Sequence, residues 1–156
     1  MTDQEFLRAA IDACRRGIEA GQSPFGAVVV RDGRVVAAAH NTVWRDVDPT
    51  AHAEVNALRA AASALNTIDL SGCTLYSTCE PCPMCLAATH WSKVDRVVFG
   101  ASIADATAAG FSELPVAAAT LAEMGKSPLR VVGGILRDEC AGLFRLWKET
   151  GRSQTY

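Results

Sequence analysis

Thr50-Ala51-His52-Ala53-Glu54 and Cys79-Glu80-Pro81-Cys82-Pro83-Met84-Cys85 are the two stretches from which this chain is read. The first sets a His and a Glu two residues apart. The second sets two thiols at Cys-x-x-Cys spacing directly after a proline. A neutral imidazole and two thiolates make three ligands for zinc, and zinc with three protein ligands keeps one position open to water. Glu54 is then left over, and a carboxylate beside a metal-activated water can accept its proton and return it to a leaving group. Cys79 is also spaced to ligate, and with His52, Cys82 and Cys85 it would close a structural site. A structural site has no use for a free carboxylate, so Glu54 argues for an open catalytic centre. A Cys-x-x-Cys redox protein leaves both His52 and Glu54 without a role.

The surrounding periodicities place these residues. Thr50 can cap a helix over 51–65, whose apolar positions are Val55, Leu58, Ala62 and Leu65. His52 and Glu54 then lie in its first turn, which is electropositive, and the free N–H of Ala53 can meet a substrate or a developing oxyanion. Residues 73–78 read as a strand. A helix over 83–92 follows Pro81, with Cys82 and Cys85 on one face near its start, where the dipole favours thiolates.

Upstream, Thr2 and Glu5 make a capping box for an amphipathic helix over 3–20. Runs 26–31 and 34–39 flank Asp32-Gly33 as a hairpin. Residues 42–49 read as a loop. Downstream come a buried strand over 96–101, a short helix capped by Asp105, a strand within 129–136 and a helix from Asp138. Strands alternating with helices predict an α/β/α layered fold with a mixed sheet.

Length and composition bound the rest. At 156 residues the chain reads as one domain, 1–156, with 152–156 as a polar tail. No apolar run is long enough to span a membrane and the first residues carry no secretion pattern, so a cytoplasmic location is expected. Six cysteines in a reducing compartment then read as free thiols or metal ligands. A formal charge of −2 gives no global attraction to nucleic acid.

The order His-x-Glu then Pro-Cys-x-x-Cys is the signature of the zinc deaminases. The chain resembles the cytidine-deaminase-like superfamily, and within it the bacterial guanine deaminases and tRNA adenosine deaminases. The likeness runs from Pro24-Phe25-Gly26-Ala27-Val28 to the C-terminal helix. It implies a three-layer α/β/α fold on a mixed five-stranded sheet, Zn2+ on His52, Cys82 and Cys85, and Glu54 as the proton carrier, with Cys79 outside the ligand set. It implies substrate contacts from Phe25, Asn41, Trp91 and Tyr156, beside the Ala53 N–H already drawn from the helix start. Phe25 read by itself is a core aromatic or a stacking platform, Asn41 a turn residue or a purine-edge reader, and Trp91 packing or a pocket wall. Gly110-Phe111-Ser112-Glu113 resembles the Gly-Phe-acidic-acidic turn of guanine deaminases, which makes Glu113 a second proton-moving carboxylate; Ser112 departs from that turn.

The activity implied is hydrolytic deamination of a purine base, guanine to xanthine and ammonia. Guanosine, another nucleoside or an aminated heterocycle would need the same chemistry in a different pocket. Pro49-Thr50-Ala51-His52-Ala53-Glu54 and Gly134-Ile135-Leu136-Arg137-Asp138-Glu139-Cys140-Ala141 also resemble tRNA adenosine deaminases. Against that, residues 137–156 hold four basic residues (Arg137, Arg145, Lys148, Arg152) and three acidic ones (Asp138, Glu139, Glu149), an excess of one and no basic tail for phosphates. The resemblance also implies a homodimer in which the C-terminal segment, ending in Tyr156, closes over a pocket of its own chain or of a partner.

Overall fold

The computed structural model describes residues 1–156. Strand β1 (Gly26–Arg31) pairs antiparallel with β2 (Arg34–His40), and on its other side antiparallel with β3 (Cys73–Cys79). β3 pairs parallel with β4 (Arg96–Ala101), and β4 parallel with β5 (Arg130–Val132). The sheet is therefore mixed and open, in the order β2-β1-β3-β4-β5. The β1–β2 turn has positive φ at both Asp32 (49°) and Gly33 (71°), the conformation that Asp-Gly favours in a two-residue hairpin.

Helices cover both faces. α1 (Asp3–Glu19) opens with the Thr2/Glu5 capping box and buries Phe6, Leu7, Ala10, Ile11, Cys14 and Ile18. It lies so close to β1 that a Cβ at Gly26 would run into its backbone at Ala10. α7 (Arg137–Glu149) shares that face, with Cys140 packed on Gly100 of β4. On the opposite face lie α3 (Ala53–Leu65) and α4 (Pro83–Trp91), as the bond from Ser77 of β3 to Glu54 of α3 shows. The three layers and the mixed five-stranded sheet are those expected. No helix is long and apolar enough to cross a membrane.

Asp3 ties α1 to the sheet. Its carboxylate takes a bidentate pair from Arg96 at 2.8 and 2.6 Å and the Tyr76 hydroxyl at 2.8 Å. Those Arg96 hydrogen bonds, helped by Tyr76 and opposed by burial, hold the Asp3 carboxyl below its ordinary 3.8. A depressed folded value stabilises the protein fully above the unfolded pKa, and the contribution is lost as pH falls through the folded one. Asp3→Asn is expected to cost about 1 kcal/mol at neutral pH, because both partners are a quarter to a third exposed and solvent screens them. In urea denaturation the difference from the parent should shrink as the pH drops below 3.8.

Four local expectations are corrected. Residues 42–49 hold one helical turn, α2 (Val43–Asp46), because Thr42 Oγ1 donates to Asp46 at 2.6 Å and Val43 N donates to Asn41 Oδ1 at 3.1 Å. Thr50 is not the cap of α3; its N–H and hydroxyl both bond to Asp48 Oδ1, and His52 takes the cap position. Asp105 is the third residue of α5 (Ile103–Ala108); Ser102 caps that helix, with Asp105 as its capping-box partner. A further helix, α6 (Ala118–Met124), forms without any side-chain cap, so the sequence carries no start signal for it.

Candidate active site

The site forms where β3 ends and α3 and α4 begin. His52 and Cys82 are the N-cap residues of their helices, both with extended backbone (ψ 155° and 165°), and neither side chain caps its helix. Each is turned instead toward the other. Cys82 Sγ lies 3.6 Å and Cys85 Sγ 3.5 Å from His52 Nδ1, and the three ligand atoms all lie within 4.8 Å of one another. A tetrahedral zinc with bonds of about 2.0–2.3 Å needs ligand–ligand edges of roughly 3.3–3.8 Å, so the donor set fits zinc in both chemistry and spacing. Cys79 stands outside this cluster, and its thiol is directed to the Ser102 carbonyl at 3.5 Å.

Electrostatics match. A hydrogen bond from Cys85 pulls the Cys82 thiol to about 4; burial opposes this, and the His52 ring adds to it. Burial would lower the His52 pKa, but its bond with Cys82 and the charge of Glu54 leave it raised. Cys79 is pushed well above the ordinary thiol range, first by burial and then by Glu54, which suits an inert thiol.

Glu54 is 5% exposed and lies beneath the cluster. Burial, then the Cys82 charge, raises its pKa. Ser77 Oγ donates to its Oε1 at 3.0 Å, leaving Oε2 free. Ser77 carries no motif that marks it in the sequence; strand alternation sets it with Leu75 and Cys79 on one face of β3, but both faces of that strand are buried, so burial does not single it out. Ala53, fully buried, begins α3 beside these groups, with a first-turn N–H that has no helical carbonyl to meet.

A small cavity of about 10 Å³, roughly one water molecule, is enclosed by Phe25, His52, Glu54, Cys82, Glu113 and Tyr156 among others. Above it opens a cleft of about 230 Å³ between His52, Met84, Phe111, Glu113 and Tyr156. Glu113 faces both, and burial followed by the charges of Cys82 and Glu54 raises its pKa to about 7. Phe25 is a core aromatic, packed edge-on against Phe111 (4.9 Å) and Phe144 (5.7 Å), and it also walls the small cavity. Asn41 is a turn residue in this structure: fully buried, it accepts at Oδ1 from Val43 N of α2, and its Nδ2 donates to the Tyr156 hydroxyl at 2.5 Å.

The tail lies over this chain's own site. The Tyr156 ring sits 5.7 Å from His52 and 5.4 Å from Phe111. Ser112 N donates to the Tyr156 carbonyl at 3.3 Å, and Trp44 Nε1 to the Gln154 carbonyl at 3.3 Å. Trp91 is the residue that the fold does not bring to the site. It ends α4 82% exposed, and it lines a separate surface groove with Ile68, Lys93 and Arg130. Its helix points away from the ligands, so nine residues beyond Cys82 the chain has left the pocket.

An open three-ligand zinc site at two helix starts, a buried carboxylate beside it and a layered mixed sheet define a zinc-dependent nucleobase deaminase. Residues 1–101 match the family described as the cytidine and deoxycytidylate deaminase zinc-binding region, and the chain belongs to that family. It is 45% identical over 114 residues to the guanine deaminase of Bacillus subtilis, covering 72% of this chain and 73% of that protein. It is 37% identical over 146 residues to the tRNA-specific adenosine deaminase of the same organism, covering 90% and 85%. A solved guanine deaminase from Nitrosomonas europaea superposes with a TM-score of 0.86 at 32% identity, over 94% of this chain and 84% of that one.

Proposed function

We propose that this enzyme deaminates guanine to xanthine and ammonia. The observation that carries this reading is the narrowness of the site: Tyr156 stands over His52 and, with Phe111 and Glu113, lines a cleft of about 230 Å³, below the roughly 300–1,000 Å³ of drug-sized ligand pockets. That suits a single flat base better than a polynucleotide loop. The likeness to the two guanine deaminases supports the choice of base.

Zinc held by His52, Cys82 and Cys85 would supply a Lewis acid that lowers the pKa of a water toward neutrality. The chain's own groups do the rest. Glu54 Oε2 takes a proton from the attacking water as the new C–O bond forms at C2, and carries it to the neighbouring ring nitrogen. The second proton of that water leaves the C2 hydroxyl as the carbonyl forms, and Glu54, or Glu113 beside it, passes it to the exocyclic amine as the C–N bond breaks and ammonia departs. A carboxyl near pKa 7, as at Glu113, is matched to proton transfer at neutral pH. In this reading Asn41 Nδ2, which donates to the Tyr156 hydroxyl, would turn to the base edge, and Phe25 would pack on the ring.

Ammonia release from guanine, guanosine, other amino-heterocycles and a tRNA anticodon stem-loop tests the reading. Turnover of guanine with the RNA inert is expected. The likeness to the tRNA-specific enzymes makes adenosine in RNA the second reading, and deamination of the stem-loop with guanine inert would establish it instead.

The tail acts as a lid in this reading, excluding water around the reacting groups. Deleting residues 152–156 should raise KM for guanine and lower kcat, each by about tenfold or more, with zinc content and melting temperature little changed. Unaltered kinetic constants would remove the lid from the mechanism. The enzyme is further proposed to be cytoplasmic, where six cysteines without a disulfide, two of them metal ligands in this reading, are at home. It is also proposed to be a homodimer, in which the exposed Trp91 and Ile68 are covered; sedimentation as a monomer would exclude that.

A further inference from the structure

Glu80 is the one acidic residue of the Cys79–Cys85 turn, and the reaction above does not use it. Its carboxylate accepts backbone N–H groups from two separate elements. Oε2 accepts from Ile103, the first residue of α5, at 3.0 Å, and Oε1 accepts from Ala118, the first residue of α6, at 2.9 Å. Its own N–H donates to the carbonyl of Ala101 at the end of β4, at 2.8 Å. Residues 109–117 run between these two helices with no regular structure, and they carry Phe111 and Glu113 into the site. From Ser112 to Val116 the one hydrogen bond to another element goes from Ser112 to the tail. The tail's carbonyl on one side and Glu80 at Ala118 on the other are therefore the hydrogen bonds that tie this stretch down, beyond the packing of Phe111 against Phe25, Phe144 and Trp147 at its start. Two residues beyond Glu80, the same backbone supplies Cys82 to the metal cluster.

We propose that Glu80 is a positioning residue for the deamination, a clamp that joins the starts of α5 and α6 to the metal-ligand turn and thereby sets Glu113 against His52 and Cys82. This rests on the deaminase reading above. The clamp needs both carboxylate oxygens. A glutamine offers one acceptor and an amide NH₂ that would face a backbone N–H, so it holds one helix start and releases the other. An aspartate is one methylene short of spanning both.

The test compares Glu80→Gln with the parent in the zinc-loaded enzyme. Three results are expected. Zinc stays at the parent's level. Backbone hydrogen exchange quickens in residues 112–118 and not in β1 or α1. The kcat for guanine falls by about 10- to 100-fold, the scale of a small misplacement of a reacting group. In a Glu113→Gln background the same substitution should cost less than about threefold, because a residue acting through Glu113 loses its effect when Glu113 is gone.

Equal fold-losses in both backgrounds, loss of zinc, or unchanged exchange with unchanged kcat would each overturn the clamp. If Glu80→Gln does not fold, Glu80→Asp goes through the same comparison with the same criteria. The exchange measurement needs no substrate. A parent inert toward guanine would therefore count against the proposed function, while exchange still decides whether Glu80 holds the segment.

Discussion

In the Glu54→Gln variant, zinc is expected to remain at the parent's level while kcat falls about a thousandfold, roughly 4 kcal/mol in the barrier. The substitution keeps the shape of the side chain and the Ser77 contact to its oxygen. It removes the one thing the reaction needs from Oε2, an acceptor that can hold a proton and release it. Glu54 is no ligand: the cluster consists of His52, Cys82 and Cys85, so metal analysis should not distinguish the variant from the parent. Ammonia release measured alongside zinc content separates the two roles. Activity within about tenfold of the parent, a loss of only ~1.4 kcal/mol, would assign the proton to another group.

Cys82→Ser should lose both zinc and activity, whereas Cys79→Ser should keep both. The two thiols belong to one short turn, yet their surroundings differ. Cys82 is drawn to about 4 by Cys85 and His52, against the opposing effect of burial, and is a thiolate ready for a metal. Cys79 ends β3, is 3% exposed, and spends its proton on the Ser102 carbonyl. A serine there can make the same bond. Retention of zinc by Cys82→Ser, or its loss from Cys79→Ser, would mean that the metal is held by a different set of ligands.

The sequence by itself determined a good deal of this molecule. The His-x-Glu and Pro-Cys-x-x-Cys spacings are local chemistry, and a helix start converts local spacing directly into geometry, which is why His52, Cys82 and Cys85 could be picked out without a fold; spacing alone left Cys79 open, and its bond to the Ser102 carbonyl takes it out of the cluster. The Asp32-Gly33 hairpin, the Thr2/Glu5 capping box and the alternation that makes the sheet mixed were legible for the same reason: each depends on residues a few positions apart.

What only the tertiary structure decided are contacts between residues far apart in the chain. Ser77 meets Glu54 because β3 runs beneath α3, and no pattern within either segment records that pairing. Glu80 joins α5 and α6 across intervals of 23 and 38 residues, and α6 forms without a cap of its own. Trp91 shows the converse. The resemblance placed it at the pocket, but it ends α4 far from the ligands at that helix's first turn, and the fold leaves it on the surface. The tail is the clearest case. A polar segment with no core of its own frays by default, and here it is held because Asn41 and Trp44, from the turn around α2, and Ser112, some seventy residues further on, converge on its last residues.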